Sequence, residues 1–123
     1  MQHVRQISYN TVKTLASKAA KDKVCLKDTA TTKWFAAYDD DVLLGVAGSI
    51  LKNGNGRIRG VYVLPEYRKL GAGRMMMEHI MFYFSDSGAC YVDQLSSQYE
   101  WWVKQGWKIK SIVPNGAWIY KTI

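Results

Sequence analysis

Arg68, Gly71 and Gly73 form the pattern Arg-x-x-Gly-x-Gly, and Lys69 and Arg74 place further positive charge beside it. These residue types at this spacing bind anions. Glycine tolerates positive φ and lets a ligand approach the backbone where a Cβ would collide, so Gly71 and Gly73 are both expected to open the turn. Successive N–H groups in such a turn make a concave nest for phosphate oxygens, and arginine grips phosphate through two parallel hydrogen bonds. Two other phosphate loops are excluded. A Walker loop needs Gly-Lys-Ser/Thr, and Gly73 is followed by Arg74-Met75; a dinucleotide turn needs glycine or alanine where Met76 stands.

The flanking residues aim this turn. A β-branched and aromatic run, Val61-Tyr62-Val63, stops at Pro65, and an amphipathic helix starts directly after the glycines. A helix N-terminus gathers unpaired N–H groups and the positive end of the helix dipole, which favours phosphate. The helix is expected to run to about Ser85 with Met76, Met77, Ile80, Met81 and Phe84 on its apolar side. Upstream, 3–8 reads as a strand and 10–21 as one helix with Val12, Leu15, Ala16, Ala19 and Ala20 on a face. Residues 21–32 read as a loop or one short helical turn. Strands follow over 33–38, 42–51 and 57–64, separated by Asp39-Asp40-Asp41 and by Asn53-Gly54-Asn55-Gly56. Downstream come a strand over 89–95, a helix over 97–105 ended by Gly106, and strands over 107–113 and 117–123. The order βαβββαβαββ implies an α/β chain of the α+β kind, a mixed, mainly antiparallel sheet with helices on both faces. No repeat or linker interrupts it, so residues 1–123 read as one domain.

The segment V-x-P-E-Y-R-K-x-G-x-G-R with its apolar helix closely resembles the acyl-CoA-binding motif of the GNAT superfamily of N-acetyltransferases. Tyr99-Glu-Trp-Trp-Val-Lys-Gln-Gly-Trp107 is similar to that family's late helix ending in Gly-aromatic. The resemblance implies the GNAT twisted sheet, with the usual second early helix missing or vestigial. It implies that Arg68, Lys69, Leu70, Gly71, Ala72, Gly73 and Arg74 wrap the pyrophosphate of coenzyme A. Val61 and Val63 would pair through their backbone with the pantetheine arm. The implied activity is transfer of an acetyl group from acetyl-CoA to a primary amine, by direct attack in a ternary complex. A macromolecular acceptor fits, and no metal is implied.

The chain departs from the family pattern in two places. Many members carry a glutamate base on the cofactor strand; here that strand offers Arg57, Arg59 and Gly60, with no carboxylate before Glu66, itself read as a surface loop residue. Many use a tyrosine to protonate the departing thiolate, and the matching residue is Trp102, whose indole N–H is a very poor acid. Tyr99, three residues earlier on a similar helix face, either carries the phenol or packs. Asp93, near the end of its strand, either acts as base, binds a cationic substrate or holds a neighbouring loop. Ser96 caps the late helix or contacts the pantetheine arm with Ser97. These departures motivate an alternative, a GNAT-fold module that binds CoA and turns over weakly. A nucleic-acid-associated modifying protein is a further alternative.

Bulk composition narrows the rest. A hydrophobic fraction of 48% excludes a disordered tail. No run reaches membrane-span length and the N-terminus lacks an apolar signal region, so no membrane partner and a cytoplasmic location are expected. Cys25 and Cys90 are expected as free, buried thiols, and His3 and His79 lack ligand-spaced partners, so no metal site is expected. Trp107 and Trp101 read as core; Trp34, Trp102 and Trp118 read as core or as walls of an acceptor cleft. The net charge of +7 suits polyanionic partners. Lysines 13, 18, 21, 23, 27 and 33 form either a solvated face or an attractant for nucleic acid or another acidic surface, but no aromatics interleave with them. The amine acceptor is thus a protein, tRNA, nucleobase or small molecule. An open acceptor side would admit a macromolecule or be closed by the partner subunit of a homodimer.

Overall fold

A computed structural model describes residues 1–123. Seven strands share one sheet: β1 (Gln2–Ile7), β2 (Thr32–Asp39), β3 (Val42–Lys52), β4 (Asn55–Val63), β5 (Tyr91–Ser96), β6 (Lys108–Val113) and β7 (Gly116–Thr122). Their order is β1-β2-β3-β4-β5-β7-β6, and only the β4–β5 pair is parallel. The helices are α1 (Tyr9–Lys13), α2 (Ala16–Lys21), α3 (Ala72–Asp86) and α4 (Tyr99–Lys104). The expected mixed, mainly antiparallel sheet with helices on both faces is found.

Local chemistry accounts for the elements. The β3–β4 hairpin turns on Asn53-Gly54, both at positive φ (52° and 77°), as a two-residue turn between right-twisted strands requires. Gly88 and Gly106, at φ 82° and 97°, end α3 and α4. In each case the residue after the glycine donates back to the helix, Ala89 N–H to the Phe84 carbonyl (2.9 Å) and Trp107 N–H to the Trp102 carbonyl (3.2 Å), the bond that satisfies end carbonyls.

Alternation along the strands builds two cores. Phe35, Ala47, Ile58, Val92 and Ile119 meet Met76, Ile80 and Phe84 of α3 on one face, where Tyr99 and Trp102 of α4 also pack. Trp34, Ala36, Tyr38, Val46 and Tyr62 meet Val12, Leu15 and Ala19 of α1 and α2 on the other. The second core takes no residue from β5, β6 or β7.

Three expectations are corrected. The helix read over 10–21 is two short helices, so the second early helix is present as α2. The break has a cause: Thr14 Oγ1 donates to the Thr11 carbonyl (2.7 Å), and such back-bonding competes with the helix ladder. Cys25 and Cys90 are free but exposed. Trp101 is 48% exposed, because six-residue α4 buries only one side against the core. Trp107 is core as expected, and Trp34 is buried with its indole N–H donated to Asp28 (2.9 Å).

Candidate active site

The sheet is open at one point. β4 pairs with β5 only from Asn55↔Tyr91 to Ile58↔Gln94, yet β4 continues to Val63 and β5 continues along β7 to Ser96. A register shift against β3 lies just past the last shared rung, and Gly60 there sits at φ 64°. The strands therefore part and leave the far half of β4 with a free edge. In an antiparallel pair, residues alternate between bonding across and facing away. Leu64 N–H bonds to the Leu44 carbonyl (2.9 Å), so Val61 and Val63 turn their backbone groups away from β3, toward the gap.

A groove of about 350 Å³ continues from that edge, lined by Val61, Val63, Arg68, Gly71, Gly73 and Trp102 among others. At its end a one-turn 3₁₀ segment (Pro65–Tyr67) leads into the loop. Lys69 adopts φ 68° and Gly71 φ 84°. A non-glycine residue in that region is strained, and such strain gathers at ligand sites. The backbone N–H groups from Lys69 to Arg74 find no acceptor in the protein, and no acidic residue occupies the first turn of α3. A Cβ on Gly71 would touch nothing within 4 Å, so the loop is open there.

Gly73 differs from expectation. It is helical rather than at positive φ, and a Cβ there would make ordinary contact with Val63 at 3.7 Å. Lys69, not Gly73, supplies the second positive φ. Leu70, Lys69 and Arg74 are exposed, and Ala72 is buried beneath the loop. Arg68 is already engaged: Nε donates to the Val63 carbonyl (3.0 Å) and Nη2 to Asp22 at the end of α2 (3.1 Å). It braces the loop against both β4 and α2.

The two residues weighed for proton transfer are placed differently. Tyr99 rests half-buried on the core and is not among the groove-lining residues, whereas Trp102, at the family's tyrosine position, does line the groove. Asp93 is buried and held bidentately by Arg57, at 2.8 and 3.0 Å. That hydrogen bond raises the Arg57 guanidinium above its ordinary range. Both carboxylate oxygens are taken up by that guanidinium, so neither is left to receive a substrate proton. Ser96 accepts from Gln98 N–H (3.0 Å), just ahead of α4.

One residue was missed from the sequence. Gln94, on the last shared rung of β4 and β5, is buried, and its Nε2 has no hydrogen-bond partner. Its backbone alternation with Val92 sends it to the α3 face. Buried orphan donors are rare, and the one found here stands where the gap opens. The cradle and the free edge fit a long ligand with an anionic end and an extended polar arm; the Gln94 amide is sealed behind them and does not line the groove. A larger concavity of about 480 Å³ beside α2, lined by Tyr9, Ala16, Val24 and Cys25 among others, is mainly apolar.

Solved structures share this fold. PaiA N-acetyltransferase from Thermoplasma acidophilum in complex with coenzyme A superposes with a TM-score of 0.83 at 13% identity, over 100% of this chain and 99% of that one. N-acetylglutamate synthase from Neisseria gonorrhoeae, complexed with coenzyme A and N-acetyl-glutamate, gives 0.82 at 17% identity, over 99% of this chain and 35% of that one. The ribosomal-protein-S18-alanine N-acetyltransferase from Escherichia coli gives 0.78 at 11% identity, over 100% and 94%. No curated protein matches by sequence. At such identities the structures speak for the fold alone, but the sequence pattern of the acetyltransferase (GNAT) family matches residues 4–100. With the parted strands and the glycine loop falling within that span, the chain belongs to the GNAT family of acetyltransferases.

Proposed function

We propose that this protein transfers an acyl group, most simply acetyl, from acyl-CoA to a primary amine. The observation that carries the reading is the run of unpaired N–H groups from Lys69 to Arg74 at the end of the free edge of β4. In this reading the loop holds the pyrophosphate, with charge from Lys69 and Arg74. Val61 and Val63 pair with the pantetheine amides. Acyl-CoA supplies an activated thioester when bound. A free-edge N–H of β4 polarises its carbonyl oxygen. The amine nitrogen then bonds to the acyl carbon as the carbon–sulfur bond breaks; one proton leaves the nitrogen and one ends on the sulfur.

Positioning two reactants in one cleft supplies much of the acceleration. Proton removal is the weak point, because β4 offers no carboxylate and Asp93 is committed to Arg57. We assign Asp93 to holding Arg57 and leave Tyr99 as packing. Trp102 serves as a groove wall.

Titration calorimetry tests the donor half. Acetyl-CoA binds the wild type, and Gly71→Glu, which puts a carboxylate into the cradle at a positive φ, abolishes binding while circular dichroism stays native. Unchanged affinity in that variant sinks the assignment. A second reading, a CoA-binding module with little turnover, is favoured by the indole at position 102 and the neutralised Asp93. Binding without thiol release against peptide, RNA, DNA and small amines selects it.

A further inference from the structure

The face of β5, β7 and β6 opposite α3 and α4 has no helix over it, since the core built by α1 and α2 takes no residue from these strands. Side chains alternate along strands, so pairing identifies what stands there. Tyr91 and Tyr120 lie on it, stacked at 5.6 Å with an interplanar angle of 22°. Trp118 lies beside them, with the Arg57 guanidinium 4.7 Å from its ring centre. Lys110 of β6 reaches the Tyr91 hydroxyl at 3.4 Å, Lys108 pairs with Tyr120, and Arg59 leaves β4 on the same side as Arg57. Asp93 is the only acidic residue in β4 to β7, and Arg57 already neutralises it.

We propose that this face seats an unpaired polynucleotide strand, bases on the aromatic rings and phosphates on Arg59, Lys108 and Lys110. Flat aromatic side chains on a sheet, rimmed by cations, bind single strands because every base has a π face and every linkage a charge. A folded acidic protein would use the cations and leave the half-buried rings unexplained. Trp118 pairs with Leu95, one position past the Ile58↔Gln94 rung where β4 and β5 part, so a strand lying on the platform reaches the gap from the side opposite the groove.

That this strand carries the accepting amine rests on the transferase reading; the seat does not. The missing base gives the link a chemical reason. A lysine amine titrates near 10.4 and is almost wholly protonated at neutral pH, whereas an α-amino group titrates near 8. The exocyclic amine of a nucleobase is neutral too, but its lone pair is drawn into the ring, so the α-amino of an aminoacyl group is the better nucleophile. An α-amino group carried on a polynucleotide therefore suits a site with no carboxylate to strip a proton.

Fluorescence anisotropy with a labelled mixed-sequence 12-nucleotide single strand tests the seat, with acetyl-CoA titrations run alongside. Binding should weaken with salt and should exceed binding of the same sequence as duplex. Lys108→Glu with Lys110→Glu should weaken it at least about tenfold and lower the log–log salt slope by about 1.4. Trp118→Ala should weaken it at least about fivefold. Acetyl-CoA affinity stays unchanged in both variants, which also reports that they fold. Four outcomes overturn the proposal: no binding to the wild type, equal affinity for duplex, equal competition by polyglutamate, or affinity lost in Lys13→Glu with Lys18→Glu but kept in the β6 variant. Any of these with acetyl-CoA binding intact leaves the transferase reading standing; loss of acetyl-CoA binding in the wild type removes that reading instead.

Discussion

β2 and β6 stand at opposite ends of the chemistry and are built differently. Every residue of β2 from Trp34 to Tyr38 is buried, alternate ones facing α3 on one side and α1 with α2 on the other. In β6, by contrast, Lys108 to Ile112 are all exposed. β4 lies between these regimes. It is anchored by β3 along one edge and released by β5 beyond Ile58 on the other. The comparison shows where rigidity is placed. The backbone that leads into the glycine loop is backed by two cores, while the strands past the gap keep one face uncovered.

The largest effect should come from truncation in the sealed half. Phe84 is fully buried, and its ring occupies the place a Cβ on Gly56 would take, at 2.8 Å. Phe84→Ala should cost about 3–5 kcal/mol, read as a lowered urea midpoint. Trp118→Ala, removing a larger ring from the open face, should cost about 1–2 kcal/mol because part of that ring is already exposed. Equal losses would break the comparison. Next comes the boundary itself. Arg57→Ala leaves the Asp93 carboxylate buried and alone, which should cost about 2 kcal/mol, below the usual figure for a buried pair because the guanidinium is about half in water. Adding Asp93→Asn should recover at least half of that loss, and failure to do so would mean that Arg57 matters through its contact with Trp118.

The two loop glycines should then respond with opposite signs. Gly71→Ala forces a Cβ to φ 84° and should cost about 1 kcal/mol. Gly73→Ala sits in helical backbone with room beside Val63 and should gain about 0.5 kcal/mol. Thermal melts of both variants check this, and a loss at both positions would mean that Gly73 is strained after all.

The same contrast explains what could be read from the chain. The glycine loop, its strand and its helix are contiguous, so their periods and turn residues were legible, as was the Gly106 that ends α4; the Gly88 that ends α3 was not singled out. The division of 10–21 into two helices was not, because it depends on one hydroxyl bonding backward at Thr14. The exposure of Trp101 also escaped, since α4 is too short for periodicity to assign a face. The open face was hidden for a different reason: Arg57, Tyr91, Lys110 and Trp118 come from four strands. The cations that were visible, the early lysines, form a contiguous run but have no rings among them. Gln94 could have been noticed as a polar residue in an apolar strand, but nothing local says that its amide goes unpaired.

The smallest effect concerns the brace between α2 and the loop, and it depends on pH. The Tyr62 hydroxyl donates to Asp22 (3.2 Å), which also receives Arg68 (3.1 Å). Burial first, and then the bond to Asp22, raises the Tyr62 phenol above its ordinary value of 10. A group whose proton is held more tightly in the folded state adds stability that is fully present below the unfolded value and is lost as pH rises through the folded one. The brace should therefore be intact at pH 7 and weaken from about pH 10 upward. Tyr62→Phe should cost about 0.5–1 kcal/mol at pH 7, the net worth of one hydrogen bond. Above pH 10 the wild type should lose stability faster than the variant, so that their urea midpoints converge. Lysine deprotonation in the same range affects both proteins alike and drops out of the difference. Midpoints that stay a constant distance apart from pH 7 to 10.5 would show that the phenol's proton plays no part, and that Arg68 alone ties the loop to α2.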